Sequence, residues 1–355
     1  MEGNIMFKIK NLKINNLKKI LVPALVLTLS LALQGCGNSA NANNNGSSAK
    51  DTQELKTVKI ATPGQGGVLI ENALLAQSLG YIDEELKAAG YKAEYMGFAQ
   101  AGPAINEAFA ADEVDFAVYN ELPAIMAKSN GIDIKIIATA TQDYNYAIIA
   151  NKDSGITSAK DLAGKKVIAT TGTILYKYFA DICKENNIDM SSVELVNAQA
   201  DANSVLASGQ ADAYVTAYSA ALQLEEAGTG SIITDTTSNE DERTGIVLAA
   251  KQDTLSSDPD AAVALIKAFK KAADFAQENP DQVYGYLKTD NYTEDLLKKI
   301  YSYDTSFSYF EPSFSDIYKS HVENQYEFAK ENKLIGSDVD LNSLLDDTYL
   351  NQALK

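Results

Sequence analysis

Apolar runs and helical periodicities alternate along the chain from residue 57 onward. This alternation predicts an α/β fold with mainly parallel sheets. The predicted strands are 57–62, 91–98, 114–119, 132–138, 146–151, 167–169, 192–196, 211–215, 231–234 and 244–250. From residue 258 the pattern becomes mostly helical, over 261–278, 282–287, 293–301 and 316–332.

The turn from Thr170 to Thr173 joins the strand at 167–169 to a helical pattern that runs past Ile182. Its glycine lets a ligand approach the backbone, and its threonine hydroxyls add donors beside the free N–H groups of the helix. Such a turn suits an oxyanion. On the turn alone, an ordinary N-cap by Thr171 or Thr173 is the favoured interpretation, so the rest of the chain must decide.

Two stretches of the chain repeat one another without a gap, 106–118 and 203–215. Each has a helical pattern, a tight turn, an acidic residue and a buried strand. Four positions are identical: Asn106/Asn203, Ala110/Ala207, Asp115/Asp212 and Val118/Val215. The repeat predicts two similar lobes, although a chance match between two α/β units is the alternative.

The N-terminus has the features of a bacterial lipoprotein signal. Five lysines precede an apolar run at 20–33, which is too short to span a bilayer as a stable helix, and Leu33-Gln34-Gly35-Cys36 follows. We expect a signal peptide at 1–35, acylation of Cys36 and a flexible tether at 36–54, rich in Asn, Ser and Gly. An uncleaved signal anchor is the alternative. The expected location is the extracytoplasmic face of the cell membrane.

The chain is strongly acidic, with a formal net charge of −18. Loss of the first 35 residues, with five Lys and one Glu, would leave −22. This charge disfavours nucleic acid or anionic lipid as a partner. It does not exclude a small anion, because helix N-termini act locally.

Catalytic and metal-binding residues are scarce. Cys183 is the only cysteine besides Cys36, and we expect it in the core. His321 is the only histidine, and we expect it on a solvated helix face. No nucleophile elbow, phosphate-binding loop or dinucleotide fingerprint is present. The sequence therefore predicts no metal, no cofactor and no enzyme activity.

Ligands of open α/β sheets bind outside the carboxyl ends of the strands. If two lobes face each other, their strand-to-helix turns converge on one cleft, and two chain crossings between them make a hinge. Arg243, the only arginine, lies near the second crossing, where an exposed loop position is an equally good interpretation. The candidate ligand-binding residues are Gln65, Gly66, Gln100, Ala101, Gly102, Asn120, Gln142, Thr171, Gly172, Thr173, Tyr218 and Arg243.

Several stretches carry a family resemblance over roughly residues 58–250. They are Gly102-Pro103-Ala104, Val114-Asp115-Phe116, the 158–167 segment with Asp161-Leu162-Ala163-Gly164-Lys165, Thr171-Gly172-Thr173, and Ser208-Gly209-Gln210-Ala211-Asp212-Ala213. The chain resembles the substrate-binding lipoproteins of ABC importers, in the aliphatic sulfonate, taurine and nitrate binding group. It departs from many relatives at Ala217-Tyr218, because they carry a tryptophan there and this chain has none.

The resemblance implies a two-lobed type II periplasmic-binding-protein fold with an inter-lobe cleft, a two-strand hinge and a helical C-terminal tail. We expect one lobe at 55–144 and 246–355 and the other at 145–245. The implied function is capture of a small organic anion, such as the aliphatic sulfonate taurine, and its delivery to a permease and ATPase by a monomeric protein. In this reading Thr171, Gly172, Thr173 and Gly102 hold the anion, Asn120 and Gln65 add polar contacts, and Tyr218 packs on the organic part.

Other functions stay open at this point. Within the same class the ligand could be nitrate, bicarbonate or a thiamine-precursor pyrimidine, which would stack on Tyr119, Tyr144 or Tyr218. A pyrimidine-synthase-like enzyme would need a reactive His or a cysteine-rich motif. A lipoprotein sensor or adhesin could use the same cleft.

Overall fold

The computed structural model describes residues 54–198, 201–239 and 243–355. The predicted signal peptide (1–35), the predicted acylation site Cys36 and all of the predicted tether except Glu54 lie outside the described residues. No helix in the described part of the chain is long and apolar enough to cross a membrane.

Ten strands form two five-stranded mixed sheets in these described ranges. The first sheet, in spatial order, contains β2 (Tyr91–Phe98), β1 (Lys56–Pro63), β3 (Phe116–Asn120), β10 (Thr244–Lys251) and β4 (Ile134–Tyr144). The second contains β7 (Glu194–Val196), β6 (Lys166–Ile168), β8 (Ala213–Ala217), β5 (Tyr146–Asn151) and β9 (Gly230–Asp235).

Helices cover the sheets and form the C-terminal region. They are α1 (Glu71–Ser78), α2 (Tyr81–Ala88), α3 (Ala101–Ala110), α4 (Glu121–Ser129), α5 (Ile174–Glu185), α6 (Ala202–Ala207), α7 (Tyr218–Glu226), α8 (Gln252–Ser257), α9 (Pro259–Glu278), α10 (Pro280–Leu287), α11 (Glu294–Ile300), α12 (Asp316–Glu331), α13 (Leu341–Leu344) and α14 (Thr348–Ala353). The predicted α/β class and helical tail are confirmed.

The sheets are less parallel than the alternation suggested. β10 runs antiparallel to both β3 and β4, and β5 runs antiparallel to both β8 and β9. The cause is the crossing of the chain between sheets, because β4 is followed at once by β5, and β9 leads back to β10. A strand that enters a sheet without a crossover helix can run against its neighbours.

The internal repeat corresponds to equivalent parts of the two sheets. Asp115 precedes β3 and accepts a hydrogen bond from the Lys59 amide of β1 at 2.7 Å. Asp212 precedes β8 and accepts one from the Lys166 amide of β6 at 2.8 Å. In both sheets the aspartate therefore fixes the start of a parallel strand pair, which explains why this residue is shared by the two copies.

The chain passes between the sheets twice. The first crossing is Asn145, between β4 and β5, and the second lies between Asp235 and Thr244. The two crossings are joined, because the Thr236 hydroxyl donates to Asn145 Oδ1 at 2.9 Å and the Thr236 amide donates to the Tyr146 carbonyl at 3.0 Å. The lobe boundaries given above stay a prediction, since residues 52–355 form one compact unit.

Two buried residues test the expectations for the core. Cys183 is buried on α5, as predicted. His321 was expected in solvent and this was wrong, because it is only 5% exposed. It shares the inner face of α12 with Tyr318 and Gln325, at helical spacing, and that face packs against α4 and β10.

The paired aspartates yield a prediction about stability. Replacing Asp115 or Asp212 by Ala should lower the free energy of unfolding by about 1–3 kcal/mol, because each loss leaves a strand amide without its charged acceptor. Urea denaturation measures the change. Asp290→Ala, at an exposed position, is the control, and equal midpoints for all three variants would contradict a stabilising role of the paired aspartates.

Candidate functional site

A cavity of about 320 Å³ lies between the two sheets, at the edge where their parallel strands end. Elements of both sheets line it: β3 and the α3 turn on one side, β8 and the α5 turn on the other. Five of the predicted residues line this cavity: Gln100, Ala101, Gly102, Asn120 and Thr173.

The N-terminus of α3 forms one wall. Gln100 is its N-cap residue and makes no side-chain capping bond, and Ala101 has a left-handed φ of +54°. A Cβ on Gly102 would lie 2.3 Å from Cγ of Pro123, so only glycine allows this close approach of α3 to α4. Since Pro103 has no N–H, the amides of Ala101 and Gly102 are the donors that this end offers.

The N-terminus of α5 forms the opposite wall. Thr173 occupies the N-cap position, but its hydroxyl donates to the Thr170 carbonyl at 2.6 Å instead of accepting from the helix. Thr173 is therefore the N-cap residue by position, as one interpretation expected, but its side chain makes no capping hydrogen bond. Ile174 and Leu175 begin the helix and line the cavity, and their first-turn amides have no intrahelical acceptor.

Gly172 and Thr171 support this turn without lining the cavity. Gly172 has a φ of +78°, which favours glycine, and its Cβ position faces Met126 at 3.5 Å. Thr171 is exposed. Of the predicted Thr171-Gly172-Thr173 group, the structure thus brings only Thr173 to the cavity wall.

A hydrogen-bond network joins the two sheets beside the cavity. The Asn120 amide group donates to Tyr146 Oη at 2.7 Å and to the Gly245 carbonyl at 3.3 Å. Tyr146 Oη also bonds the Thr244 hydroxyl. Asn120 therefore connects β3 to the first residue of β5, across the first crossing, and is held in place before any ligand binds.

The next residue, Glu121, is buried behind this network. Its Oε1 accepts from the Gly245 amide at 3.0 Å and from the Gln325 side chain. Burial raises the pKa of Glu121 to about 7, against the lowering effect of these hydrogen bonds. The carboxyl group thus ties α4, β10 and α12 together below Asn120.

Four tyrosines supply most of the aromatic surface of the cavity: Tyr119, Tyr144, Tyr146 and Tyr214. Burial raises the pKa of each of them, so all four phenols are neutral at physiological pH. Sequence reasoning considered Tyr119 and Tyr144 only for a pyrimidine, and it missed Tyr146 and Tyr214.

The sequence of β8 and β5 did contain evidence for Tyr214 and Tyr146. Tyr214 and Thr216 lie two residues apart near the end of β8, so both point to one face of the sheet. Tyr146 pairs with Ala217, because the antiparallel β5 begins where β8 ends. Because the strands were expected to be mainly parallel, the first residue of β5 was not expected at this edge of the sheet.

The cavity wall carries no formal charge. Among the described residues that line it there is no Lys, Arg, His, Asp, Glu or Cys. Its polar groups are backbone amides, Thr170, Thr173, Thr216, Gln100, Asn120 and phenol hydroxyls. The arrangement can bind a polar or anionic group with neutral donors.

Arg243 and Gln142 do not line this cavity, so the structure does not bring these two candidates together with the other five. The Arg243 guanidinium pairs with Asp143 at 2.8 Å, donates to the Thr236 carbonyl at 3.2 Å and lies 5.3 Å from the Tyr303 ring centre. Gln142 donates to the Ser313 hydroxyl at 2.7 Å. Both side chains are held by structural contacts around the crossings.

Tyr218, Gln65 and Gly66 also lie outside this cavity. Tyr218, the first residue of α7, lines a small neighbouring hollow with Asp143. Gln65 borders an adjoining cavity, and Gly66 is exposed. The turn after β1 therefore lines the cavity with Pro63 and Gly64 and not with the two predicted residues.

Comparisons with known proteins agree with this arrangement. The chain is 27% identical over 347 residues to a Bacillus subtilis (strain 168) protein described as an aliphatic sulfonates-binding protein, covering 96% of this chain and 98% of that one. Among solved structures, one described as the periplasmic sulfonate-binding protein SsuA of Methylobacillus flagellatus KT matches with a TM-score of 0.70. It is 24% identical, with 85% of this chain and 94% of that chain covered.

An enzyme shares the same fold. The desulfurization enzyme DSZB matches with a TM-score of 0.67 and 15% identity, over 84% of this chain and 99% of its own. These likenesses confirm the two-lobed periplasmic-binding-protein fold.

The family model described as "NMT1/THI5 like" matches residues 71–283, which is more than half of the sequence. This stretch includes every cavity-lining element from α3 to β8. The resemblance first seen in short motifs is thereby confirmed, and the chain belongs to the NMT1/THI5-like family.

Proposed function

We propose that the protein is the extracytoplasmic solute-binding component of an ABC importer and that it captures a small organic anion, an aliphatic sulfonate, in the cavity between its sheets. It makes and breaks no bond. It acts as a monomer, anchored to the membrane by a lipid on Cys36, and delivers its ligand to a permease that an ATPase drives.

The observation that carries this proposal is the convergence of two helix N-termini on an uncharged cavity. α3 and α5 belong to different sheets and present first-turn amides from opposite sides. Each helix end contributes up to ~2 kcal/mol to binding of an anion when it is partly buried. Thr216 adds a hydroxyl at the same place, so an oxyanion can be held without a basic side chain.

The rest of the wall suits the organic part of the ligand. Tyr144, Tyr214, Ile70 and Leu175 give it an apolar and aromatic surface. Nitrate or bicarbonate would leave most of a 320 Å³ cavity unfilled. A thiamine-precursor pyrimidine is the second candidate, because the four tyrosines offer faces on which a ring can stack.

Sequence kinship supports a sulfonate over a pyrimidine. The Bacillus subtilis relative, described as a binder of aliphatic sulfonates, aligns over nearly the whole chain. An enzymatic role like that of DSZB is less well supported, since no cysteine, histidine or carboxylate is among the described residues that line the cavity.

Gly102→Ala should weaken binding of propanesulfonate at least about tenfold, equivalent to about 1.4 kcal/mol. The added Cβ would collide with Pro123, so the α3 N-terminus must move and its amides lose their alignment. Isothermal titration calorimetry measures the change. Gly285→Ala is the matched control, since it lies in α10 and its Cβ would meet no atom within 4 Å. Unchanged affinity in the Gly102 variant would argue against the helix-end site.

Arg243→Gln should lower the melting temperature yet leave the dissociation constant for propanesulfonate within about threefold. Removal of the guanidinium breaks its 2.8 Å ion pair with the buried Asp143, and breaking a buried pair in this way costs about 3–5 kcal/mol in comparable proteins. The double variant Arg243→Gln/Asp143→Asn should regain part of the lost stability. A folded double variant that no longer binds would instead make the guanidinium a ligand contact.

A further inference from the structure

Helices of the two sheets also contact each other away from the crossings. α5 packs on the second sheet, against β5 and β8, whereas α12 packs on the first, against β10 and α4. The rings of Tyr176 on α5 and Phe328 on α12 meet edge to face, with their centres 6.3 Å apart. The ammonium group of Lys177 lies 5.7 Å from the centre of the same phenylalanine ring. These three residues, Tyr176, Lys177 and Phe328, form the α5–α12 clasp.

The clasp begins directly behind the end of α5 that borders the cavity. Ile174 and Leu175, the first two residues of α5, line the cavity, whereas Tyr176 and Lys177 do not. The latter two contact Phe328 of the opposite sheet's helix instead. The first turn of α5 therefore presents its amides to the cavity while its next residues are attached to the first sheet.

The surroundings of the clasp strengthen this attachment. In the turn before α5, the Cβ position of Gly172 lies 3.5 Å from Met126 of α4. Burial raises the pKa of Glu121, the first residue of α4, and the charge of Lys177 is among the influences that oppose this rise. Gln325, which precedes the clasp on α12 by one turn, donates to the same carboxyl group. The start of α5 is thus coupled to α4 and α12 by packing and by charge.

The clasp is shielded from water. Phe328 is buried, and Tyr176 is partly buried. The Lys177 ammonium also pairs with Asp181 of its own helix at 2.6 Å, which holds it near the phenylalanine ring. Because an aromatic pair of this kind shifts an equilibrium by about threefold to tenfold, its loss is measurable in binding.

A second contact between helices of the two sheets is weaker. Lys299 of α11 pairs with Glu226 of α7, but their side chains are 61% and 41% exposed. The Gln223 side chain of α7 donates to the Asn291 carbonyl at 2.8 Å. Exposed ion pairs contribute little, because water and salt screen them. The α5–α12 clasp is therefore the contact through which we expect the spacing of the helix ends to be maintained.

We propose that Tyr176 and Phe328 are positioning residues that set the affinity of the cavity from outside it, by holding the N-terminus of α5 against the first sheet while a ligand is bound. The inference rests on the proposed function, because the anion held by α3 and α5 is the ligand of that function. The donors of these two helices belong to different sheets, so they reach one anion together only while the sheets stay close. Breaking the clasp therefore speeds release of the ligand.

Tyr176→Ala should raise the dissociation rate of propanesulfonate at least about fivefold and leave its association rate within about twofold, since most changes of affinity arise in dissociation. Tyr176→Phe keeps the ring and should restore the original rate within about twofold. Stopped-flow measurement of tyrosine fluorescence gives both rates, and isothermal titration calorimetry gives the dissociation constant. Lys299→Met, at the exposed contact, should change neither rate more than about twofold.

The matched control is Tyr286→Ala. Tyr286 of α10 makes the same kind of edge-to-face contact with Phe275 of α9, at 5.5 Å, but α9 and α10 pack on each other and do not join the two sheets. This control removes an equivalent ring contact, so it should leave both rates within about twofold.

A fluorescent reporter gives a second readout on the clasp itself. The chain contains no tryptophan, so Phe328→Trp introduces a single indole at this contact. Saturation with propanesulfonate should lower the quenching of its emission by acrylamide at least about twofold, because the bound ligand keeps α5 over the ring. Tyr286→Trp, outside the contact between the sheets, should be quenched equally with and without the ligand.

The outcomes separate this inference from the function on which it rests. If the unmodified protein binds propanesulfonate and Tyr176→Ala releases it at the same rate, the sulfonate site stands and the positioning role is overturned. Equal acceleration in Tyr286→Ala also overturns that role, because the effect would then come from a general loss of packing. If the unmodified protein binds no sulfonate, the proposed function and the positioning role are both overturned.

Discussion

The direction of the helices relative to the strands determines what this cleft can bind. In both sheets the chain leaves the carboxyl end of a parallel strand and enters a helix, so the first-turn amides of α3 and α5 point to the same cavity. These amides cannot be satisfied within their own helices. Gly102 lets α3 approach Pro123, and Thr173 turns its hydroxyl to Thr170 instead of capping α5. Both features leave donors available to a ligand.

A cavity between two sheets requires a connection that sets the spacing of the sheets. That connection must not fuse the two sheets into one rigid layer. The joined crossings at Asn145 and Thr236 meet this requirement, and Asn120, Tyr146 and Thr244 add a polar connection beside the cavity. Few covalent links and many directional hydrogen bonds allow hinge closure around a ligand. The Arg243–Asp143 pair belongs to this connection, which is why the only arginine of the chain is not free to bind an oxyanion.

Much of the fold could be predicted, because buried strands and amphipathic helices leave clear periodic patterns. The internal repeat could be recognised in the sequence because Asp115 and Asp212 accept equivalent hydrogen bonds from strand amides in the two sheets. The antiparallel direction of β5 and β10 was not readable, because apolar runs carry no information on strand direction. For this reason Tyr146 was not among the predicted cavity residues. Thr171, Gln142 and Tyr218 were expected at the cavity and do not line it, because sequence gives the turn on which a residue lies but not the direction of its side chain.

The strong negative charge of the chain is not carried by the described residues that line the cavity. A chain with a net charge of −18 repels anions at long range, but at physiological ionic strength this repulsion is screened beyond about 8 Å. Within the cavity the helix ends act at contact distance, where a neutral wall neither competes with the ligand nor holds a counter-ion. A basic side chain there would bind inorganic anions as readily as organic ones.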